Sequence, residues 1–281
     1  MLKFLLNSFE FRKLALRGAR NGATLTQDTY ELHHYTSTFE VDGLRQTHFV
    51  PAAASDRPAS ASILKGKYYE QTTHVLLRLL FERRPGDLIH AGTFFGDMLP
   101  SFATACPGTV YAFEPVLESY VLARQCVNAN DLQSVHLFNS GLSRKLGGAR
   151  IMTHRKDVGE NIGGGARIRK YGDTQITTVA IDSLGLKDLS VLQLDLEGHE
   201  RPAVLGARKT IERCLPVVLL EDAKMKAADV MDGLGYVHVG ELPSQNIWAT
   251  PDDVDDVAAM IIELAKDVET TDIRRAGLSS R

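Results

Sequence analysis

The feature that narrows this chain most is a regular alternation beginning at residue 87. Short apolar runs, Asp87–Ala91, Val110–Phe113, Val135–Phe138, Val191–Asp195 and Val217–Glu221, are separated by helix-like stretches at Asp97–Ala105, Pro115–Ala129, Gly198–Arg213 and Ala223–Leu234. Buried strands separated by helices build βαβ units and a parallel sheet. The pattern therefore predicts a doubly wound, mostly parallel α/β sheet with helices on both faces. Tyr236–Val239 and Asn246–Thr250 follow the last helix as a closing antiparallel pair.

Around this repeat the chain divides into an N-terminal extension (residues 1–65), a main domain (66–251) and a C-terminal helix and tail (252–281). The extension reads as an amphipathic helix over 1–22, alternating strands over 28–50, and an Ala/Ser/Pro loop from Pro51 to Ser62. Lying outside the sheet, its 60 or so residues are a candidate homodimer contact or substrate cover. Apolar residues at helical spacing predict a helix over Tyr69–Phe81, stopped by Pro85-Gly86, and another over Asp252–Lys266, with a frayed end from Arg274 to Arg281. Between Ser143 and Thr178 the rhythm breaks, and no apolar helix is found. An insertion over 144–178, glycine-rich and basic, reads as a lid or specificity loop.

A net charge of -3 over 281 residues supplies no field to gather polyanions, so no nucleic-acid partner is expected. No window approaches the ~20 apolar residues of a membrane span. The 3 cysteines are scattered and lack paired spacing, which argues against a disulfide framework or zinc knuckle. These readings suit a cytoplasmic enzyme.

The first strand runs into His90-Ala91-Gly92-Thr93-Phe94-Phe95-Gly96-Asp97. A strand, a glycine turn and a helix let a backbone approach an adenosyl ligand. About twenty residues on, Phe113-Glu114-Pro115 ends the next strand, where a carboxylate can accept both ribose hydroxyls. Those two features also suit a nicotinamide dinucleotide, and a pyrophosphate would decide between them, since it needs bare amides and no anion at the helix start. Here Phe94 and Phe95 crowd the turn, Asp97 adds a negative charge, and the spacing is Gly-x-x-x-Gly. A cationic, phosphate-free cofactor fits better, and S-adenosylmethionine has that chemistry. The plain alternatives are a tight turn for Gly92 and Gly96 and a dipole-favoured carboxylate for Glu114.

A more specific signature follows in Leu192-Gln193-Leu194-Asp195-Leu196-Glu197-Gly198-His199-Glu200, with Leu205-Gly206-Ala207 and Pro216-Val217-Val218-Leu219-Leu220-Glu221-Asp222 after it. From Gly66 to Thr250 the chain resembles the FkbM family of S-adenosylmethionine-dependent methyltransferases, which O-methylate hydroxyls of sugars and polyketide-type products. The resemblance implies a Rossmann-like methyltransferase sheet. It also implies that the turn carrying His90, Gly92, Thr93, Phe94, Phe95, Gly96 and Asp97 holds the methionine end of the cofactor. By the same resemblance Glu114 and Pro115 serve the ribose, Ser140-Gly141 flank the adenine, and Asp195, Glu197 and His199 sit beside the reacting groups. Gly66-Lys67-Tyr68-Tyr69-Glu70 resembles the helix leading into the family's domain, which brings Tyr69 and Glu70 toward acceptor and cofactor. Two positions depart from the family, which has an aspartate where this chain has His90 and Asn-Ile where it has Phe94-Phe95.

Methyl transfer to an alcohol needs the acceptor oxygen held in line and its proton taken as the bond forms. Asp195 is the first candidate for orientation and base duty, and His199, one helical turn on, is the next. A helix N-cap and a surface histidine are their ordinary alternatives. Glu200 reads as a solvated first-turn carboxylate, and Asp182 as the cap of a turn. Glu221 and Asp222, ending the next strand, are acceptor-binding candidates that with Asp195 would offer oxygen ligands to Mg²⁺; direct contact with sugar hydroxyls is the simpler role. In the insertion, Asn161, Gly164 and Arg167 are acceptor-binding candidates, and its cations suit an anionic part of the acceptor. The expected activity is O-methylation of a sugar, glycoside or related natural product. A NAD-dependent oxidoreductase on the same fold, or a catalytically silent cofactor-binding protein, are the competing classes.

Overall fold

The computed structural model describes residues 32–155, 159–160, 165–242 and 245–267. The expected helix over 1–22, the tail from Arg274, and the site candidates Asn161 and Gly164 lie outside these residues. The described chain opens with a hairpin, β1 (His34–Val41) and β2 (Leu44–Pro51), closed at Asp42-Gly43, a dipeptide whose backbone matches the twist of a two-residue turn. Where a loop was expected after Pro51, a short 3₁₀ turn leads instead to α1 (Pro58–Leu64). Pro58 occupies the first turn of that helix, where a missing N–H costs nothing. α2 (Gln71–Arg83) follows.

The alternating region then forms β3 (Asp87–Ala91), α3 (Leu99–Ala105), β4 (Val110–Phe113), α4 (Leu117–Ala129) and β5 (Val135–Phe138). A second layer begins at β6 (Gly141–Leu142) and continues through β7 (Gly147–Met152), β8 (His154–Arg155), β9 (Gly159–Glu160), β10 (Arg167–Ile168) and β11 (Thr174–Val179). The main sheet resumes with β12 (Leu189–Leu194), α5 (Glu200–Leu205), α6 (Arg208–Cys214), β13 (Val217–Leu220), α7 (Ala228–Gly233), β14 (Val237–Glu241) and β15 (Asn246–Ala249), and α8 (Val254–Asp267) closes the described chain.

The main sheet has 7 strands in the order β14-β15-β13-β12-β3-β4-β5. β13, β12, β3, β4 and β5 run parallel, and β15 and β14 add the expected antiparallel pair. The chain leaves β3 in one direction for β4 and β5, then returns to β12 on its other side. Such a reversal splays the connections apart and leaves a crevice at the strands' carboxyl ends. Alternate residues feed two cores: Leu88, Val217 and Leu219 pack toward α2, α3 and α8, while Ile89, Leu192, Leu194 and Leu220 pack toward α5, α6 and α7. This two-sided burial is why the strands read as unbroken apolar runs.

Two segments differ from expectation. The insertion is largely strand, with a 4-stranded sheet ordered β10-β7-β11-β6 in which Ile151 and Ile176 pack on Val116. The single helix expected over Gly198–Arg213 is broken in two at Gly206. There the chain passes so near the insertion's first residues that a Cβ on Gly206 would stand 2.1 Å from the Ser143 carbonyl oxygen. The hairpin is fastened to α4 by Asn130, whose Oδ1 accepts from Thr47 N and whose Nδ2 donates to Thr47 O, both at 2.7 Å.

Candidate active site

A cavity of about 300 Å³ occupies the crevice above β3, β4, β12 and β13. Its floor depends on Gly92. With φ at +90°, this residue turns the chain so closely past β12 that a Cβ would lie 2.1 Å from the Asp195 carbonyl oxygen. Asp195 N in turn donates to Ala91 O at 2.9 Å, so the two strand ends are locked edge to edge. Absence of a side chain is a steric requirement here.

Glu114 is held from two sides. Its Oε2 accepts from Phe94 N at 2.8 Å and its Oε1 from Val116 N at 2.7 Å. Burial pushes its carboxyl up to about 8, against the downward pull of those two amides. Each oxygen keeps a lone pair, and the residue lines the cavity. To reach Glu114, Phe94 adopts a φ of 50°; Glu70 and Glu197, which also line the cavity, share that left-handed region. Such strain in non-glycine residues persists where surrounding contacts over-determine it, and it gathers at functional sites.

The opposite wall is acidic. Asp195 and Glu221 hydrogen bond to each other, and burial, followed by that bond and the neighbouring charge, holds Asp195 well above the usual carboxylate range. Glu221 is raised too, first by burial. Two half-buried carboxyls in contact disfavour each other's ionised form, which is the direction of both shifts. Burial likewise lifts Asp97 to about 7. Tyr69 is raised by burial and by surrounding acids, which keeps its phenol protonated. His199 has its pKa lowered by burial and is neutral, with Nε2 3.1 Å from Ser143 Oγ.

His90 stands on β3 beside Gln193 of β12 and lines the same cavity. Its Nδ1 meets the Gln193 amide oxygen, which can only accept, so Nδ1 carries the ring's proton. Burial lowers the ring's pKa to about 4. The neutral ring therefore presents Nε2 as an acceptor, and that atom is buried without a partner. An orphaned acceptor in a ligand-sized cavity calls for a donor from outside the protein.

The structure thus gathers Tyr69, Glu70, His90, Gly92, Phe94, Asp97, Glu114, Pro115, Gly141, Asp195, Glu197, His199 and Glu221 around one space. Other sequence candidates lie outside its lining. Phe95 is fully buried in the core, Thr93 is buried with Oγ1 on His90 O, and Gly96 packs against Ala123. Ser140 is buried outside the lining, Arg167 pairs with Glu197 at 3.1 Å, and Asp222 turns away to accept from Ala227 N at 2.7 Å. Among the described residues no group of three or more His, Cys, Asp or Glu side chains is arranged to hold a metal ion.

Two neighbouring carboxylates are corrected. Glu200 is buried, not solvated, and its Oε1 accepts from Leu196 N and Gly198 N, which shapes the loop that carries Glu197 and His199. Asp182 accepts from Thr210 N at 2.8 Å and so caps α6, not merely a local turn. Residues that sequence reasoning missed include Arg57 from the extension, Gln193, and the apolar trio Val116, Ile151 and Ile168. Gln193 had left a signal, as the single polar residue in the Leu189–Leu194 strand apart from Ser190 at its edge.

The family described as "Methyltransferase FkbM domain" matches residues 90–258, which includes every strand of the main sheet except the first three residues of β3. No curated protein matches the chain. Among solved structures, methyltransferase FkbM from Methylobacillus flagellatus is 14% identical with a TM-score of 0.42, over 59% of this chain and 43% of that one. This chain therefore spans less than half the length of that protein. A methyltransferase from Geobacter sulfurreducens is 14% identical with a TM-score of 0.40, over 84% and 96% of the two chains. The T. thermophilus 16S rRNA N2 G1207 methyltransferase, solved with AdoMet and guanosine, is 15% identical with a TM-score of 0.42, over 81% and 53%.

Proposed function

We propose, from the premise that the chain belongs to the FkbM methyltransferase family, that it methylates a hydroxyl of a sugar, glycoside or related natural product at the expense of S-adenosylmethionine. The observation that carries this reading is the composition of the cavity: an anchored ribose-type carboxylate at Glu114, an orphaned acceptor at His90 Nε2, and an acidic wall at Asp97, Asp195 and Glu221. Such a lining suits a ligand that carries hydroxyl and ammonium donors and positive charge. It does not suit a diphosphate.

In this reading Glu114 takes the ribose hydroxyls, and Val116, Ile151 and Ile168 cover an apolar ring. His90 Nε2 and the carboxyls beside it receive the ammonium of the amino-acid end. Bound there, S-adenosylmethionine would supply an electrophilic methyl carbon. The protein's own task is then to hold an alcohol oxygen in line and accept its proton. The Asp195–Glu221 pair suits both parts, because two adjacent carboxyls with raised proton affinity can hold a hydroxyl by hydrogen bonds and take up its proton. Neutral His199, at the same wall, is the next base. Arg57, the one cation among the described lining residues, offers a counter-ion to a carboxylate.

Calorimetry with S-adenosylhomocysteine, followed by transfer of labelled methyl groups to a panel of saccharides and glycosides, tests the proposal. Binding of the homocysteine compound and label in the saccharides are expected. Folded protein that ignores adenosyl-sulfur compounds, or that binds NAD⁺ in their place, would overturn it.

A further inference from the structure

A second cavity, of about 350 Å³, opens beside the first and shares Ile168, Glu197, His199 and Glu221 with it. Its outer wall differs sharply in charge, since Arg167, Arg169, Lys224 and Lys226 all line it. Not all of these charges are available. Arg167 is neutralised by Glu197 at 3.1 Å. On the acidic side, Asp222 is turned onto the Ala227 amide at 2.7 Å and keeps its charge, and Glu221 is hydrogen bonded to Asp195. Arg169, Lys224 and Lys226 form no ion pair among the described residues.

The lysines are also presented by a fixed turn. Met225 N donates to Asp222 O at 2.8 Å while Asp222 Oδ2 accepts from Ala227 N, which closes the loop that carries Lys224 and Lys226. Gly198 faces this loop, and a Cβ on it would lie 3.5 Å from Lys226 Nζ. One ammonium therefore stands directly over the segment between Glu197 and His199. The compartment is polarised: Glu221, bonded to Asp195, lies where it meets the first cavity, and three cations without an ion pair among the described residues lie on its other wall. The lining's four cations, Arg167, Arg169, Lys224 and Lys226, outnumber its three carboxyls, Glu197, Glu221 and Asp222, and an excess of cations in a concavity raises the local potential and draws in an anion.

The geometry points to this second compartment as the acceptor subsite, and to an acceptor that carries an oxyanion, phosphate or carboxylate, on the side away from the hydroxyl to be methylated. The inference rests on the reading that the first cavity holds the methyl donor. The shared residues then place the hydroxyl against Asp195 and Glu221, while Lys224, Lys226 and Arg169 grip the anionic end. That arrangement fixes both ends of the molecule. An uncharged sugar would be held at one end only.

The test is calorimetric titration of protein saturated with S-adenosylhomocysteine, using glucose 6-phosphate, glucuronate and glucose as probes. The anionic probes are expected to bind at least roughly tenfold tighter than glucose, with an affinity that falls as salt is raised. Whichever anion binds more tightly identifies the oxyanion. The double variant Lys224→Gln, Lys226→Gln should bring the anionic probes to within about threefold of glucose while its affinity for S-adenosylhomocysteine and its Tm stay at wild-type values. Equal binding of all three probes, no binding of either anion, or an anion preference that survives in the variant would overturn the inference. Failure of S-adenosylhomocysteine to bind wild-type protein would instead remove the reading on which it rests, and this inference with it.

Discussion

Replacing Gly92 by alanine tests the central geometric claim, that the carboxyl ends of β3 and β12 must nearly touch for the site to exist. The added methyl would stand 2.1 Å from the Asp195 carbonyl oxygen, whereas real contacts of this kind begin at 3.0 Å. The strand ends must therefore separate by roughly 1 Å, a displacement that can cost about 100-fold in turnover when it falls on a positioned reacting group. Alanine at a φ of +90° adds strain of about 1–3 kcal/mol. At about 2–4 °C per kcal/mol for a domain of this size, the strain alone should lower Tm by about 2–12 °C, and the collision adds to that. Gly185→Ala supplies the control, because Gly185 also has a positive φ, +67°, yet nothing lies within 4 Å of its Cβ position. It should lose about 1 kcal/mol and bind S-adenosylhomocysteine normally. Scanning calorimetry and ligand titration of both variants decide the matter. If the two lose the same stability, and Gly92→Ala keeps wild-type affinity, the collision argument is wrong.

Asp195→Asn should lower turnover by about 10²–10⁴ with cofactor affinity nearly unchanged; a parallel loss of both would remove its assigned role in handling the acceptor. Glu114 gives a pH signature. Its folded pKa of about 8 lies above the ordinary carboxyl value, so its contribution to stability is complete below the unfolded pKa and is lost as pH rises through 8. Ribose hydroxyls favour the ionised form, so affinity for 5′-methylthioadenosine, which lacks the titrating amino group, should rise by up to about tenfold per pH unit toward 8 and then level. Glu114→Gln should flatten that rise, and an identical profile in the variant would dismiss Glu114 as the titrating group. Asn130→Ala strands the Thr47 amide and carbonyl, and urea unfolding should show a loss of about 1–3 kcal/mol; an unchanged midpoint would mean that the hairpin is held by other contacts.

The central strands of the main sheet, β3, β12 and β13, were legible because they are covered on both faces, so their residues read as apolar whichever way they point. The insertion was not legible for the opposite reason. β7 starts on Gly147-Gly148 and carries Arg150, signals that belong to loops, and its apolar residues Ile151 and Ile176 become meaningful only once Val116 is placed between them. Of the site, the glycine turn, Glu114 and the Asp195–His199 segment could be read locally. The approach of Glu221 to Asp195 could be read from the succession of their strands, whereas the orphaned nitrogen of His90 and the arrival of Arg57 depend on cross-strand pairing and on a segment remote in the chain. Glu200 misled for a related reason, since a carboxylate in a first helical turn looks the same in sequence whether it faces water or ties down the preceding loop.

The break at Gly206 has a mechanical corollary. Because that residue lies flush against the Ser143 carbonyl, and His199 Nε2 is 3.1 Å from Ser143 Oγ, the start of the inserted sheet and the segment bearing His199 are joined at two points. This side of the rim is thus clamped before any ligand arrives, and the ordering entropy that a free flap would lose on closing is already spent in folding. Lengthening the chain at 143–144 should therefore loosen substrate capture and proton handling together, as one hinge.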